Sequence, residues 1–320
     1  MQHHPYTSIN KSLFVIKENI LETLAYFDLF DYPLSRAEIF LFLKNKYDFN
    51  VFEEALKSLL NCEIIYRFDK FYTLKNEHNL VIRRNGGNKK AAELIKTAEK
   101  VGNFLIRFPF VRGIAISGSL SKNFADDHSD IDLFIITAEN KLWIARTLMH
   151  CFKKLTFLAN KEHLFCMNYY IDEHNLEIAE KNIYTAIEIA TLIPLQGDLI
   201  FEKFYAKNAW TRDYLPNKTM RIASAKPVKY VYLKRLLEAL FNNAAGCRLD
   251  DMLMKITSGR WQKKTQQKKL NSHGIIMGMD TGKHFAKPDP ENFQNKLLGR
   301  YQCRVDKVLQ TYENTVAHLR

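Results

Sequence analysis

The sequence lacks long apolar runs and paired cysteines. Its longest apolar stretches, 113–121 and 189–197, end well before the roughly 20 residues that a membrane-spanning helix requires. The short apolar run at 13–16 is followed directly by charged residues, so no secretory signal is expected. The five cysteines are odd in number, widely scattered and without C-x-x-C spacing, which is typical of reduced thiols. These absences predict a cytoplasmic protein that does not enter a membrane.

Two common phosphate-binding motifs are also missing. The sequence contains no G-x-x-x-x-G-K-[ST] and no G-x-G-x-x-G after a strand, which argues against P-loop and dinucleotide-binding folds. At 47% hydrophobic and 26% charged residues, the 320-residue chain nevertheless has enough apolar material to bury a core. Its length predicts two or three domains.

Positive charge is concentrated in the last third of the chain. Residues 1–217 carry 27 Lys and Arg against 27 Asp and Glu, whereas residues 218–320 carry 20 against 8. An anionic partner, such as an RNA acceptor or departing pyrophosphate, is therefore expected along this third. Its most regular feature is the helical spacing of Arg260, Lys264 and Lys268. A solvated basic surface without a specific ligand is the alternative.

The first 85 residues have the pattern of a winged helix. The expected elements are helices over 9–30, 35–47 and 51–60 and strands over 64–66 and 71–74. Ser35 and Glu38 form a capping box at the start of the second helix. Because the module balances 11 basic against 11 acidic residues, we expect it to serve packing or dimerisation and not DNA binding.

The rest of the chain has the order of a mixed sheet followed by helices. Gly86 and Gly87 are expected to break the pattern before a helix over 89–108. The next expected elements are strands over 111–117, 130–137 and 164–171 and helices over 140–158 and 182–195. The C-terminal region is expected to contain helices over 228–243, 247–270 and 291–318 and a glycine-rich loop over 273–290.

A Gly-Ser turn followed by two alternating acidic residues carries the most chemical information. A buried strand leads to Gly118 and Ser119, and Asp130 and Asp132 follow on the next strand. Side chains alternate along a strand, so the two carboxylates are expected to share one face. Adjacent carboxylates repel each other unless a cation lies between them, which favours a Mg²⁺ site. A glycine backbone lets a phosphate approach closely, and Ser119 and Lys122 are the side chains expected to hold it.

This run of apolar strand, Gly-Ser, ten intervening residues and Asp-x-Asp resembles the nucleotidyltransferase superfamily, which includes the minimal and the antibiotic nucleotidyltransferases. The resemblance covers about residues 100–175 and implies a DNA polymerase β-like fold. It further implies that Gly118 and Ser119 hold the nucleotide phosphates and that Asp130 and Asp132 ligate two Mg²⁺ ions, with Mn²⁺ as a substitute. A third carboxylate on a later strand would complete such a site.

That third carboxylate is where the sequence departs from the superfamily pattern. Alternation along the next strand predicts that Cys166, Asn168, Tyr170 and Asp172 share one face, and Asn168 occupies the central position. An amide can ligate a metal through its oxygen but carries no charge and cannot accept a proton from the acceptor. Asp172, at the strand end, and Glu177 are the candidate substitutes.

The expected fold class is α+β. A mixed-sheet nucleotidyltransferase core over 86–217 is expected between a winged-helix module over 1–85 and a basic helical region over 218–320. The predicted function is Mg²⁺-dependent transfer of a nucleoside monophosphate from a nucleoside triphosphate to an unidentified acceptor hydroxyl, with release of pyrophosphate. The alternative is a catalytically weak or inactive member of the superfamily that binds a nucleotide or a partner protein.

Overall fold

The computed structural model describes residues 5–127, 129–156, 166–218, 225–227, 232–270, 278–288 and 292–318 and confirms an α+β class. The helices are α1 (Pro5–Asp28), α2 (Arg36–Phe42), α3 (Phe49–Asn61), α4 (Asn79–Leu105), α5 (Gly118–Ser121), α6 (Leu142–Thr156), α7 (Ile183–Thr191), α8 (Asp198–Lys207), α9 (Thr211–Tyr214), α10 (Tyr232–Phe241), α11 (Ala244–Gln266) and α12 (Phe293–His318). The strands are β1 (Leu34–Ser35), β2 (Tyr66–Phe68), β3 (Phe71–Thr73), β4 (Val111–Ile116), β5 (Asp132–Thr137), β6 (Cys166–Asp172), β7 (Ile193–Gln196), β8 (Met279–Thr281) and β9 (Phe285–Pro288). Within these ranges, no helix is long and apolar enough to cross a membrane.

The N-terminal module contains the three helices and the hairpin that its sequence predicts. The capping box is confirmed, because Ser35 Oγ accepts a hydrogen bond from the Glu38 backbone and Glu38 accepts one from the Ser35 backbone at 2.8 Å. The helix that it begins ends at Phe42, earlier than expected. β1 adds a third strand, so the small sheet has the order β1-β3-β2 with antiparallel pairs.

The expected break at Gly86 and Gly87 is wrong, because both residues lie inside the uninterrupted helix α4. A Cβ atom at Gly87 would lie 2.4 Å from ring carbons of Phe124, whereas one at Gly86 would have no neighbour within 4 Å. Gly87 therefore allows close packing of α4 on Phe124. A single helix thus crosses the expected domain boundary at 85/86.

The large sheet has six strands in the order β7-β4-β5-β6-β9-β8. β5 and β6 are parallel, and the other neighbours are antiparallel. Ile114, Leu133 and Tyr170 belong to the cluster that packs one sheet face on α4 and α6, with α11 beside them. Ala115 and Phe134 belong to the cluster that packs the other face on α7 and α8. The side chains of β5 therefore enter opposite layers in alternation.

Several elements around the large sheet differ from the sequence expectation. The helix expected over 182–195 divides into α7 and β7, because Pro194 has no N–H for a helical bond and favours an extended conformation at the residue before it. The loop expected over 273–290 includes β8 and β9, which form an antiparallel pair that extends the sheet beyond β6.

The N-terminal module shares a buried core with the rest of the chain. One cluster of buried side chains joins α1, α2 and α3 with α7 and α12, and α1 packs along α12. The helix that reads DNA in a winged helix would correspond to α3, whose apolar face, with Phe52, Leu56 and Leu59, is buried in this cluster. This packing places the end of α1 beside the Gly-Ser turn formed by Gly118 and Ser119, which we call the Gly118 turn.

Candidate functional site

The structure brings the Gly-Ser turn and Asp132 into direct contact. The Ser117 backbone N–H donates to the Asp132 carbonyl oxygen at 2.9 Å. This hydrogen bond extends the pairing of β4 with β5 to the residue just before the turn. Gly118 has a φ of +66°, and a Cβ atom there would lie 2.6 Å from Asp132 Oδ2. Glycine is therefore required at 118 both for its backbone conformation and for the space that the carboxylate occupies.

Asp132 is a partly buried carboxyl group at the start of β5. Burial raises its pKa from the usual 3.8 to about 7, and the charges of Asp130 and Glu188 contribute to the increase. Asp130 is exposed and precedes β5, so the strand begins two residues later than predicted. Ile131, between the two acids, is fully buried in the opposite layer, as the alternation predicts. The site thus contains a carboxyl group whose charged form the protein disfavours.

The side chains around the Gly118 turn differ in their exposure and in the hydrogen bonds that they make within the protein. Ser119 is exposed at the mouth of the turn. Lys122 Nζ donates to the Gly118 carbonyl oxygen at 3.0 Å and to Glu188 Oε1 at 2.7 Å. Ser121 Oγ also donates to the Gly118 carbonyl oxygen, at 2.8 Å. Lys122 therefore places its positive charge at the turn while it is held by a carboxylate.

Glu188, on α7, is a site residue that the sequence analysis missed. It pairs with Lys122, raises the pKa of Asp132 and lines the same clefts as Asp132. Its signal in the sequence is that it is the single charged residue of α7, whose other residues are mostly apolar. Glu177, one of the two acids considered as substitutes, is instead paired with Lys181 at 2.6 Å, with both side chains about half exposed.

A β-bulge on β6 changes which side chains face Asp132. The pairing passes from Leu133 opposite Met167 to Phe134 opposite Tyr169, so Asn168 is the extra residue. Tyr169 then lies on the same sheet face as Phe134, with the two ring centroids 5.2 Å apart. The backbone of Asn168 belongs to β6, but its side chain lies outside the described residues. Its predicted role as third metal position stays a prediction.

The expectation that Asp172 replaces a third carboxylate at the site is wrong. Asp172 lies opposite Thr137, five residues along β5 from Asp132, a separation of about 17 Å at 3.3 Å per residue. It is fully buried, and it accepts hydrogen bonds from backbone N–H groups and contacts His284 Nδ1 at 2.9 Å. Tyr170 also lies on the opposite sheet face from Tyr169, so the shared face predicted for this strand ends at the bulge.

Two clefts open beside Asp132. The first, which we call the α7 cleft, has a volume of about 220 Å³ and is largely apolar. Its walls include Phe134, Tyr169, Ile189, Leu192 and Lys287. The second, which we call the α1 cleft, has a volume of about 440 Å³ and lies between the end of α1 and the Gly118 turn. Its walls include Tyr26, Phe27, Phe30, Phe124, Ser119 and Lys122. Both clefts contain Gly118, Asp132 and Glu188.

The basic helix of the C-terminal third lies on the other side of the sheet. α11 packs on α6 and β8, in the layer opposite Asp132. Arg260 and Lys263 are exposed, and Lys264 lies over the Trp261 ring at 4.9 Å. The helix ends at Gln266, so the predicted extension to residue 270 is wrong and Lys268 follows the last turn. The cationic residues of α11 and the candidate site therefore lie on opposite sides of the sheet.

The donor set fits a divalent cation that is shared with a phosphate ligand. Across the ranges that the structure describes, no group of three or more His, Cys, Asp or Glu side chains is close enough to hold a metal ion. Mg²⁺ commonly uses only one or two carboxylates, with substrate phosphates and water as its other ligands. The raised pKa of Asp132 fits this chemistry, because nearby positive charge would favour its ionised form. Asp130 and Asp132 are the residues that would hold the cation.

Comparison of the chain with protein-family models, with curated proteins and with solved structures gave no match.

Proposed function

We propose that the protein transfers a nucleoside monophosphate from a nucleoside triphosphate to an acceptor hydroxyl, on a DNA polymerase β-like nucleotidyltransferase core. The observation that carries this proposal is the contact between Gly118 and the Asp132 carboxylate, with Asp130 two residues away. This contact places the Gly-Ser turn, with its exposed Ser119, directly beside a pair of carboxylates. The pattern of the sequence and the geometry of the site therefore agree.

The side chains of the site would act by binding and orientation. The exposed Ser119 hydroxyl and the Lys122 ammonium group lie on the α1 cleft side of the turn and are suited to bind phosphate oxygens. When bound by Asp130 and Asp132, Mg²⁺ would supply neutralisation of the charge on the triphosphate and on the departing pyrophosphate. Such catalysis depends mainly on positioning and on charge, so it requires no nucleophilic serine or cysteine.

The α7 cleft is the binding place that we expect for the acceptor. It reaches Asp132 from the side of β6 and α7, away from Ser119 and Lys122. Lys287, on its wall, is already paired with Glu180 and Asp280. A small acceptor with a largely apolar body would fit these walls better than a nucleic acid strand, whose phosphates need several available cations.

The transfer can be tested with a nucleoside triphosphate that is labelled either at the α or at the γ phosphate. The purified protein is incubated with Mg²⁺ or Mn²⁺ and with candidate acceptors, including the protein itself. We expect α label in the acceptor and γ label in pyrophosphate, with both products lost in Asp132→Asn. Transfer of γ label to the acceptor would identify a phosphoryl transferase and contradict the proposal.

A second candidate function is nucleotide binding without efficient transfer. It is favoured by the β6 strand, on which Tyr169 packs beside Phe134 and Asp172 is held at the far end. The variant Asn168→Asp adds a carboxylate to this strand, at the bulge. Transfer by Asn168→Asp but not by the wild type would support the second candidate, whereas transfer by the wild type would exclude it.

A further inference from the structure

The α1 cleft is continuous with the Gly118 turn, Ser119 and Lys122, which we call the candidate phosphate site. Ser119 and Lys122 line this cleft and are not part of the α7 cleft, while Gly118 and Asp132 line both. A nucleotide whose phosphates lie at Ser119 and Lys122 therefore has the α1 cleft as the nearest space for the rest of the molecule. The volume of about 440 Å³ lies in the range of small-molecule sites.

The walls of the α1 cleft are aromatic. Phe30, just after α1, is 41% exposed, and Phe293, at the start of α12, is 42% exposed. Phe30 lies beside Tyr26, with ring centroids 5.7 Å apart. Phe124 lies under the Arg83 guanidinium group, which is 4.7 Å from the ring centroid. Exposed aromatic rings around a cleft are suited to stack on a flat aromatic ligand such as a nucleobase.

Hydrogen bonds connect the segment that carries Phe30 with α4 and with the Gly118 turn. Arg83 donates hydrogen bonds to the backbone carbonyl oxygens of Phe30 and Asp31, at 3.2 and 3.1 Å. Tyr32 Oη donates to the carbonyl oxygen of Lys122, which links the segment after α1 directly to the Gly118 turn. These contacts place the aromatic wall, which the N-terminal module supplies, directly beside the candidate phosphate site.

Tyr26, a residue of this wall, carries a hydroxyl group that makes no hydrogen bond within the described part of the chain. Tyr26 is 2% exposed, and its hydroxyl group is buried with no hydrogen bond to any residue that the structure describes. A buried hydroxyl group without a partner lowers stability, so such groups commonly have a role beyond packing.

We propose that the α1 cleft binds the base and sugar of the nucleotide and that the N-terminal winged-helix module is thereby the base-recognition part of the site. This inference rests on the proposed function, because it takes the phosphates to lie at the Gly118 turn. It gives the module a role other than DNA binding. It is also compatible with the burial of the apolar face of α3 in the shared core.

The inference is tested by comparing the affinities of inorganic triphosphate and of the four common nucleoside triphosphates, each measured by calorimetry with Mg²⁺. The test variant is Phe30→Leu, which removes the ring but keeps an apolar side chain. The matched control is Phe49→Leu, which removes a ring of 43% exposure on α3, away from the cleft. Tyr26→Phe removes only the unpartnered hydroxyl group.

We expect the wild type to bind at least one nucleoside triphosphate more tightly than triphosphate. Phe30→Leu should weaken nucleotide binding roughly tenfold and leave triphosphate binding unchanged, and Phe49→Leu should alter neither. Tyr26→Phe should raise thermal stability, because it removes a buried hydroxyl group that makes no hydrogen bond to the described residues. Unchanged triphosphate binding also serves as the control for folding.

The possible failures are distinguishable. Equal affinity for triphosphate and for every nucleotide would overturn the base site but leave the phosphate site standing. Preferential nucleotide binding that Phe30→Leu does not change would overturn the inference, because the base would then lie outside the α1 cleft. Binding of neither triphosphate nor nucleotide would contradict the proposed function and the inference together.

Discussion

Replacing Asp132 by asparagine should stabilise the protein in the absence of a metal. Burial and neighbouring negative charge raise the pKa of Asp132 from 3.8 to about 7. At 1.36 kcal/mol per pKa unit, this increase corresponds to at most about 4 kcal/mol of unfavourable free energy for the ionised group. Because the side chain is partly exposed, solvent screening reduces the expected gain in the free energy of unfolding to about 1–2 kcal/mol.

The sign of this effect depends on pH. Below about pH 4 the carboxyl group is protonated in both the folded and the unfolded state, so it contributes no difference. Between about pH 4 and pH 7 the unfolded chain has lost the proton while the folded protein still holds it, so wild-type stability falls as the pH rises. Above about pH 7 the penalty is complete. The Asp132→Asn variant lacks this penalty, because an amide does not titrate.

Thermal unfolding in EDTA at several pH values measures the difference. We expect Asp132→Asn to unfold roughly 1.5–3 °C above wild type at pH 8 and to show almost no difference at pH 4. The control is Asp306→Asn, which changes an exposed carboxylate on α12 and should have little effect. A difference between Asp132→Asn and wild type that is constant with pH, or a less stable variant at pH 8, would refute the electrostatic account of Asp132.

Three further predictions concern glycines and the basic helix. Gly118→Ala should abolish nucleotide binding measured by calorimetry and cost about 1–2 kcal/mol of stability, because its Cβ atom would occupy the Asp132 carboxylate position at a φ of +66°; unchanged binding would refute the turn geometry. In urea unfolding, Gly86→Ala should stabilise by about 0.5–1 kcal/mol and Gly87→Ala should destabilise by about 1–3 kcal/mol, and equal effects would contradict the close packing on α4. Lys263→Ala with Lys264→Ala should leave nucleotide affinity unchanged. If α11 binds a nucleic acid, the logarithm of its affinity should fall with the logarithm of the salt concentration. This double variant should make that slope shallower by about 0.9 per lost phosphate contact on duplex and by about 0.7 on single strands. An unaltered slope would show that these lysines do not contact nucleic acid.

The parts of the fold that the sequence predicts are those with strong local signals. The capping box at Ser35, the apolar periodicity of α1 and α3, and the strands β4 and β5 all depend on residues close in sequence. The Gly118 turn and Asp132 were predicted as one site from their order along the chain, and the structure brings them into contact. Here the local pattern and the tertiary arrangement agree.

The differences arise where tertiary packing outweighs local preference. Two glycines cost a helix only about 2 kcal/mol, which the burial of Ala91 and Ala98 on the sheet side of α4 can offset. β8 and β9 are short and lack an alternating pattern, and they become strands through pairing with a distant partner, β6.

The residues that form the site show the same limit of prediction from local sequence. Alternation along β6 fails because a bulge at Asn168 cannot be seen in the sequence. Glu188 lies on a helix 56 residues after Asp132, and only the packing of α7 beside the Gly118 turn brings it to Lys122. A contact of this kind depends on the fold as a whole.

The most direct test of the candidate site is the binding of a nucleoside triphosphate with and without Mg²⁺, measured by calorimetry on the wild type, Asp130→Asn, Asp132→Asn and the control Asp306→Asn. The account predicts Mg²⁺-dependent binding by the wild type and by Asp306→Asn, and its loss in both site variants, because two carboxylates and the phosphates must share the cation. Binding that is independent of Mg²⁺, or that persists unchanged in Asp130→Asn and Asp132→Asn, would contradict the account.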